Sequence, residues 1–287
     1  MSIKETHLAG LHPGRAHECM VTCKFCQHAC ASHVFGTKCT INDCGCKSYG
    51  RIASTEEIAS QMVSCMMVTK ASRMHMVRRA IQCFKDQTYP WKELVIISDD
   101  DLSELNHSYI WVPQGLRLGD LRNIAIARSS GAYVAQWDDD DWYHPERLAC
   151  QIKLLKDHPD ADGVTLARWL LAWPAKDHYA VSMKRDTGWE GSILARRWQI
   201  PVYPGIPRGE DASIIKNMKL VVMDDPHLYI YVVHGANTWD QPHFESMFQM
   251  TSRRLSSFEV ELIKKCLELP EEIPILVNGE TSQPQTT

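Results

Sequence analysis

Four short apolar runs, separated by stretches with helical spacing, constrain the fold of this chain more than any other feature. The runs cover residues 62–69, 93–98, 109–113 and 132–137 and are typical of strands, the first two buried on both faces. After the first run, the apolar residues Val77, Ile81 and Phe84 recur at helical spacing. Strands that alternate with helices predict an α/β fold with a mostly parallel sheet and helices on both of its faces.

Single residues mark the expected helix ends. Ser72 is a favoured N-cap for the first helix, Gly131 is placed as the C-terminal stop of the second, and Pro145 suits the first turn of the third. Beyond residue 163 the pattern is more mixed. It contains short strand-like pieces, a loop rich in Pro and Gly at 201–209, a helix start at "EDASIIKNM" and a strand pair, "KLVVMDD" and "LYIYVVH".

Two acidic clusters, 99–101 and 138–141, lie just past predicted strand ends. In parallel α/β sheets, ligands bind beyond the carboxyl ends of the strands. Alternate side chains of an extended segment point the same way, so Asp138 and Asp140 are expected to converge. Paired carboxylates suit Mg²⁺ or Mn²⁺, and the flanking Trp137 and Trp142 argue against a solvated acidic loop. The sequence therefore predicts a divalent-metal site here.

Four sequence blocks occur in a fixed order between about residues 61 and 240: "VSCMMVTKASRMHMVRRAIQCFKDQTYPWKELVIISDDD", "RNIAIARSSGAYVAQWDDDDWYHPERL", "RGEDASI" and "HGANTW". Together they resemble family 2 glycosyltransferases, the inverting enzymes of the GT-A fold, a Rossmann-like α/β architecture. The resemblance implies transfer of a sugar from a nucleotide-sugar, expected to be UDP-linked, to a hydroxyl-bearing acceptor. Two positions depart from the family pattern: Val68 stands where a Pro is usual, and Asp101 stands where a Gly is usual.

The resemblance also implies roles for the matching residues. Asp140 would bind the divalent ion that bridges the diphosphate, with His234 as a further ligand. Asp211 would be the general base, with Glu210 orienting it or contacting the acceptor. Trp189 would stack on an acceptor sugar. The residues assigned to the nucleotide-sugar are Thr69, Arg73, Asp99, Asp100, Arg122, Asp138 and Asp139.

Each of these assignments has a structural alternative. Asp211 is also a favoured N-cap residue for the helix that follows it. His234 at a strand end is often structural, and Asp99 and Asp100 are common turn residues. For Trp189, a place in the core is favoured over stacking on a sugar.

Seven of the 11 cysteines lie between Cys19 and Cys46. The first three have the spacing of the iron–sulfur loop of radical S-adenosylmethionine enzymes. Only about 30 residues separate Cys30 from the first transferase strand, whereas a barrel needs on the order of 200 residues. A zinc site formed by a subset of the seven is therefore favoured, and nested disulfides are a third possibility. The seven are Cys19, Cys23, Cys26, Cys30, Cys39, Cys44 and Cys46.

These observations predict three regions: a small cysteine-rich, zinc-binding module at 1–55, a GT-A domain at 56–245, and a C-terminal helix with a disordered tail at 246–287. The net charge of −4 argues against a nucleic-acid partner. No apolar run forms a signal peptide or reaches the ~20 residues of a membrane span, so a cytoplasmic location is expected.

The expected function is metal-dependent, inverting glycosyl transfer from a nucleotide-sugar. The sugar and the acceptor, whether glycan, protein or small molecule, are not specified by the sequence. Two alternatives remain at this point: a nucleotidyltransferase of the same fold class, which would also use a D-x-D motif and a metal, and a non-catalytic binding protein stapled by zinc.

Overall fold

The computed structural model of the protein describes residues 54–268. The chain divides into two compact units between Gln61 and Met62. In the first unit the structure describes the short helix α1 (Thr55–Ala59), whose N-terminus is closed by a capping box between Ser54 and Glu57. The seven clustered cysteines, and with them the predicted zinc module, lie outside the described residues.

Within residues 62–268 the second unit alternates strands and helices. The strands are β1 (Val63–Val68), β2 (Lys92–Ser98), β3 (Ile110–Trp111), β4 (Tyr133–Gln136), β5 (Trp142–Tyr143), β6 (Gly163–Leu166), β7 (Leu170–Trp173), β8 (His178–Ser182), β9 (Trp189–Arg196), β10 (Leu220–Met223), β11 (Tyr229–Val232) and β12 (Thr251–Arg254). The helices are α2 (Met74–Lys85), α3 (Leu118–Arg128), α4 (Arg147–Asp157), α5 (Glu210–Ile215), α6 (Gln241–Gln249) and α7 (Ser257–Leu267). No helix between residues 54 and 268 is both long enough and apolar enough to cross a bilayer.

The larger sheet has seven strands in the order β10-β6-β9-β4-β1-β2-β3. β1 pairs in parallel with both β2 and β4, and β6 pairs in parallel with β10. Only β9 runs antiparallel to its neighbours β4 and β6 within this sheet. The sheet is therefore mostly parallel, as the alternation of strands and helices predicts.

Both faces of the central strand β1 are buried. Cys65 and Met67 belong to the large core cluster on one face, whereas Met66 packs with Leu121 and Ala125 of α3 on the other. This two-sided burial explains why the β1 sequence is continuously apolar rather than alternating. Each fully buried aliphatic side chain of this kind stabilises the fold by about 1.5–3 kcal/mol.

The helix ends differ from the predicted ones. Ser72 does not cap α2, because it lies within a 3₁₀ turn over Ala71–Arg73 and α2 begins at Met74 without a side-chain cap. Gly131 is not a helix stop, since α3 ends at Arg128 and Ser129 is extended. A Cβ added at Gly131 would lie 2.4 Å from the Met62 carbonyl oxygen. Glycine is required there for close backbone approach.

A second sheet of five strands, in the order β12-β8-β7-β11-β5, was not predicted. The predicted strand pair "KLVVMDD" and "LYIYVVH" is wrong as a pair. Both stretches are strands, but β10 pairs with β6 in the larger sheet, whereas β11 pairs with β7 and β5 in the second. Strand propensity is local, but the choice of partner depends on packing between distant segments.

The acidic run 138–141 is the link between the two sheets. β4 of the larger sheet ends at Gln136, and β5 of the second sheet begins at Trp142. The carboxylates therefore lie where the chain leaves one sheet and enters the other.

Candidate active site

The carboxyl ends of β1, β2 and β4 meet at one edge of the larger sheet. Val68 of β1 pairs with Ile97 of β2, and Met66 of β1 pairs with Gln136 of β4. This register brings Thr69, both acidic clusters and the segments that face them to the same edge.

The four consecutive carboxylates do not point in alternating directions. Residues 139–141 form a turn rather than an extended segment, so the alternation of an extended segment, from which the convergence of Asp138 and Asp140 was expected, does not apply. Asp138 contacts Arg122, whereas Asp139 and Asp140 share Arg73. The first three carboxylates of the run are thus divided between two arginines.

Thr69, Arg73, Asp139, Asp140 and His234 form one group, here called the Arg73 cluster. Arg73 Nη1 lies 2.8 Å from Asp139 Oδ1 and 3.2 Å from Asp140 Oδ2. Thr69 Oγ1 donates a hydrogen bond of 2.6 Å to Asp139 Oδ2. His234 Nε2 lies 3.0 Å from Asp140 Oδ2. Asp139 is held through both oxygens, whereas these contacts of Asp140 fall on Oδ2.

The two carboxyls of the Arg73 cluster differ in pKa. Burial raises the pKa of Asp139 to about 7, the charge of Asp140 adds to this, and Arg73 opposes it. Burial also disfavours ionised Asp140, but its hydrogen bond with His234 and the charge of Arg73 prevail and lower its pKa. Ala236 N donates to His234 Nδ1 at 3.3 Å. The ring hydrogen of a neutral His234 is then on Nε2, facing Asp140.

Arg122, Asp138, Tyr203, Glu210 and Asp211 form the second group, here called the Arg122 cluster. Arg122 Nη2 lies 3.1 Å from Asp138 Oδ1. Its Nη1 pairs with Glu210 Oε1 and lies 3.5 Å from Asp211 Oδ2. The guanidinium lies 5.5 Å from the centroid of the Tyr203 ring. One buried arginine thus joins the end of β4 to helix α5.

The pKa values of Arg122 and Glu210 are both raised, which favours the charged form of the arginine and the neutral form of the carboxyl. Burial disfavours the charged Arg122, but Asp138 and Asp211 outweigh it and raise its pKa. Burial raises the pKa of Glu210, and Arg122 opposes that shift. The side chain of Glu210 is 4% exposed, whereas that of Asp211 is 23% exposed. Asp211 is therefore the carboxylate that solvent or a substrate can reach.

Asp211 is not an N-cap. Gly209 occupies the N-cap position of α5 with a φ of 74°, and Glu210 and Asp211 are the first two helical residues. The positive φ explains the glycine at this position. The alternative interpretation of Asp211 as a capping residue is therefore wrong.

The other acidic cluster shapes the neighbouring loop. Ala71 N donates to Asp100 Oδ2 at 3.0 Å, across from β2 to the turn after β1. Asp101 accepts hydrogen bonds from Ser103 N at 2.9 Å and Tyr109 Oη at 3.0 Å, as a turn residue does. Asp99 Oδ1 is shielded from solvent and has no hydrogen-bond partner among residues 54–268.

Asp141 is a structural carboxylate that the sequence did not distinguish from its neighbours. Its Oδ2 accepts from Tyr229 Oη, and its Oδ1 accepts from Val232 N at 2.9 Å. Both partners lie on β11, so Asp141 ties the acidic run to the second sheet. Arg79 Nη2 adds a bond of 2.7 Å to the carbonyl oxygen of Asp140. Only the tertiary contacts separate these roles, because four identical letters carry no distinguishing signal.

Trp189 belongs to an aromatic group beside the carboxylates. Its ring stacks on Trp169, with centroids 4.5 Å apart, and meets the edge of Tyr231 at 5.4 Å. Trp189 is half-buried, so it is partly core and partly accessible. The adjacent Glu190 has a raised pKa, because of burial first and with a contribution from Asp211. The charge of Asp211 therefore reaches Glu190.

The described residues contain no group of three or more His, Cys, Asp and Glu side chains that could hold a metal ion. The predicted metal ligands Asp140 and His234 are nevertheless in contact. Two protein ligands with further ligands from substrate phosphates and water is a common arrangement for Mg²⁺.

Residues 64–170 match the family model described as "Glycosyl transferase family 2". This match confirms the predicted resemblance for that part of the chain. It includes the Arg73, Arg122 and 138–141 positions, and it ends before Glu210, Asp211 and His234. No curated protein matches the chain.

Several solved structures are similar to the chain. S. aureus TarS 1-349 in complex with UDP-GlcNAc is 15% identical, over 71% of this chain and 65% of that one, with a TM-score of 0.49. The UDP complex of the same protein is 16% identical, over 61% of each chain, with a TM-score of 0.48. Mannosyltransferase PcManGT from Pyrobaculum calidifontis, in complex with GDP-Man and Mn²⁺, is 15% identical, over 62% of this chain and 59% of that one, with a TM-score of 0.45. The chain thus spans less than two thirds of each of these proteins, and likenesses this distant carry no argument about its substrates.

Proposed function

Because residues 64–170 form a glycosyl transferase family 2 domain, we propose that the protein transfers a sugar from a nucleotide-sugar, expected to be UDP-linked, to an acceptor hydroxyl with inversion. The observation that carries the proposal is the Arg122 cluster. It links Asp138, at the end of the strand where the family binds its donor, to the carboxylates of α5. The proposed donor contact, Asp138, and the proposed base, Asp211, are thereby joined through the buried side chain of Arg122.

The donor nucleotide is assigned to the edge formed by β1, β2 and β4. Asp99 Oδ1, shielded and without a partner among the described residues, needs a hydrogen-bond donor, and a uracil N–H or a ribose hydroxyl would supply one. The Asp138 side chain is 29% exposed and accessible to the ribose. Thr69 and Asp139 are buried against each other, so we assign them to positioning Arg73 and Asp140 rather than to direct contact.

Asp211 is assigned as the general base, because it is the accessible carboxylate of α5. It would take the proton from the acceptor hydroxyl as that oxygen attacks the anomeric carbon. Glu210 is buried and paired with Arg122, so its role is to hold Arg122 and, through it, the orientation of Asp211. In-line attack with a single base and no covalent intermediate inverts the anomeric centre.

The residues present fit a divalent cation. Asp140 Oδ2 and His234 Nε2 are 3.0 Å apart, about the separation of two adjacent ligands around an octahedral ion with bonds of about 2.1 Å. Asp140 and His234 would hold Mn²⁺ or Mg²⁺ once the ring hydrogen of His234 has moved from Nε2 to Nδ1, which gives up the hydrogen bond from Ala236 N. The cation would supply charge neutralisation for the nucleoside diphosphate that leaves the sugar.

The experiment is donor hydrolysis by the full chain. A panel of UDP-sugars is incubated with and without Mn²⁺, and release of UDP is measured. We expect Mn²⁺-dependent release from at least one donor, reduced by about 10²-fold or more in Asp140→Asn and unchanged in Asp160→Asn, an exposed carboxylate. Absence of both binding and hydrolysis across the panel would refute the proposal. Equal hydrolysis by Asp140→Asn would refute only the metal assignment.

A further inference from the structure

Arg208 lies beside the N-terminus of α5, the helix that carries the proposed base. It immediately precedes Gly209 and helix α5, three positions before Asp211. Its guanidinium lies 5.4 Å from the centroid of the Trp239 ring, and that ring stacks nearly parallel on His243, with centroids 4.4 Å apart. The Trp239 ring, itself stacked on His243, therefore restricts an otherwise exposed arginine.

Arg185 also lies over aromatic rings. Its guanidinium lies 5.1 Å from the Trp169 ring and 5.3 Å from the Trp189 ring. One of its nitrogens, Nη1, pairs with Glu190 Oε2 at 3.2 Å. Arg185 thereby contacts both Trp189 and Glu190.

His243 lies in a row of ring contacts between the two arginines: it stacks on Trp239 and meets Phe244 at 5.5 Å, Phe244 meets Tyr231, and Tyr231 meets Trp189. Burial lowers the pKa of its imidazole, and the positive charges of Arg185 and Arg208 add to that shift, against the opposing charge of Asp240. A neutral His243 adds no charge of its own. Two carboxylates of this neighbourhood already have partners. Glu190 pairs with Arg185, and Asp240 caps α6 by accepting a hydrogen bond from His243 N.

Arg208 makes no hydrogen bond or ion pair with any residue in the range 54–268 that the structure describes. A guanidinium that lies on an aromatic face directs its N–H groups outward in its own plane. This row of N–H groups matches the paired oxygens of a carboxylate or a phosphate. Because the aromatic ring already restricts the side chain, binding such an anion costs less conformational entropy.

We infer that Arg208, with Arg185 along the same row of rings, binds an anionic group of the acceptor, a phosphate or a carboxylate, beside the helix that carries the base Asp211. This inference rests on the proposed function, because it identifies the bound molecule as an acceptor. The donor is assigned to contacts with Asp99 and Asp138 instead, and saturation with UDP separates the two ligands in the test. The acceptor class is therefore a hydroxyl compound with a nearby negative charge, rather than a neutral sugar.

The test uses the ¹⁵N-labelled full chain and two simple probes, inorganic phosphate and acetate. The chain is first saturated with UDP, so that a probe cannot enter the donor site. Each probe is then titrated at constant ionic strength while the indole N–H resonances are recorded, and Trp239→Phe identifies the Trp239 signal. We expect a saturable shift of the Trp239 indole with phosphate, with acetate, or with both, and the responding probe identifies the anion.

Arg208→Gln should weaken that binding by about tenfold, and Arg208→Lys should weaken it nearly as much, because a lysine does not present a planar edge. Arg254→Gln, which alters an exposed arginine on β12, is the matched control and should leave it unchanged. The other indole signals report whether each variant is folded. A Trp239 signal that does not move, or that moves equally in Arg208→Gln, overturns the inference. Failure of UDP to bind contradicts the proposed function instead, and the phosphate titration without UDP still tests Arg208.

Discussion

The Arg73 cluster and the Arg122 cluster are built from the same chemistry, an arginine among carboxylates, but they differ in burial and in the elements they join. The side chain of Arg73 is 23% exposed, and that of Arg122 is 7% exposed. Arg73 lies in the turn between β1 and α2, whereas Arg122 lies inside α3 and pairs with carboxylates after β4 and on α5.

The difference separates an exchangeable ion pair from a structural one. Ionic contacts near the surface contribute little to stability, whereas a buried charge that loses its partner is costly. We therefore expect Arg122 to hold the architecture of the site. Arg73 can change partners when a diphosphate or a cation arrives. Three substitutions test this contrast.

The largest effect is expected for Arg122→Met. Removal of the guanidinium leaves Glu210 buried without its cation, which costs about 3–5 kcal/mol of unfolding free energy. Urea unfolding followed by fluorescence measures the loss. Arg73→Met is the matched comparison and should lose less, because the guanidinium is partly solvated and the buried Asp139 keeps its hydrogen bond from Thr69 and can take up a proton. Equal losses in the two variants would remove the distinction between the clusters.

The pH dependence of unfolding, compared between wild type and Arg122→Met, tests whether the buried Glu210 causes the loss of stability. Burial raises the pKa of Glu210 in the folded protein, so the folded state binds more protons than the unfolded state above the ordinary Glu pKa. Its contribution to stability is therefore lost as pH rises through the folded pKa. Without Arg122 that pKa rises further, so Arg122→Met should lose more stability, relative to wild type, at pH 8 than at pH 5. A loss independent of pH would indicate altered packing instead.

The next effect concerns catalysis alone. Asp211→Asn removes the proposed base and should reduce the rate of transfer by about 10²–10⁴-fold, while binding of UDP is unchanged. Kinetics with the acceptor, together with calorimetry of UDP binding, measures both. Asp186→Asn, at an exposed carboxylate, should behave as wild type. If Glu210→Gln abolished transfer while Asp211→Asn retained it, the base assignment would be reversed.

The smallest effect is expected at Arg73. Arg73 Nη1 lies 3.2 Å from Asp140 Oδ2, so its charge opposes a cation at Asp140 and His234. Arg73→Gln should bind Mn²⁺ about fivefold more tightly in the absence of nucleotide, which corresponds to about 1 kcal/mol between solvated charges. Electron paramagnetic resonance of free Mn²⁺ measures the affinity without any turnover. Weaker binding in Arg73→Gln would show that Arg73 orients Asp140 more than it competes with the ion.

Much of this molecule was predictable from local patterns. The apolar runs at 62–69, 93–98, 109–113 and 132–137 predicted β1 to β4. Burial on both faces explains the continuous hydrophobicity of β1 and β4, whereas β3 is a partly exposed edge strand. The acidic clusters were predicted to lie beyond strand ends, and parallel pairing then brings them to one edge. The resemblance to a family was also visible in the order of the sequence blocks, and the match over 64–170 confirms that resemblance for this part of the chain.

The partner of each polar side chain was decided only by the tertiary structure. Glu210 and Asp211 are adjacent letters, but the turn at Gly209 buries one and leaves the other accessible. Asp138 to Asp141 are identical letters, but a turn directs them to two arginines and to β11. Arg122 and Glu210 are 88 positions apart. Local propensity sets whether a segment is a helix, a strand or a turn, whereas burial and charge pairing depend on which distant segments the sheets bring together.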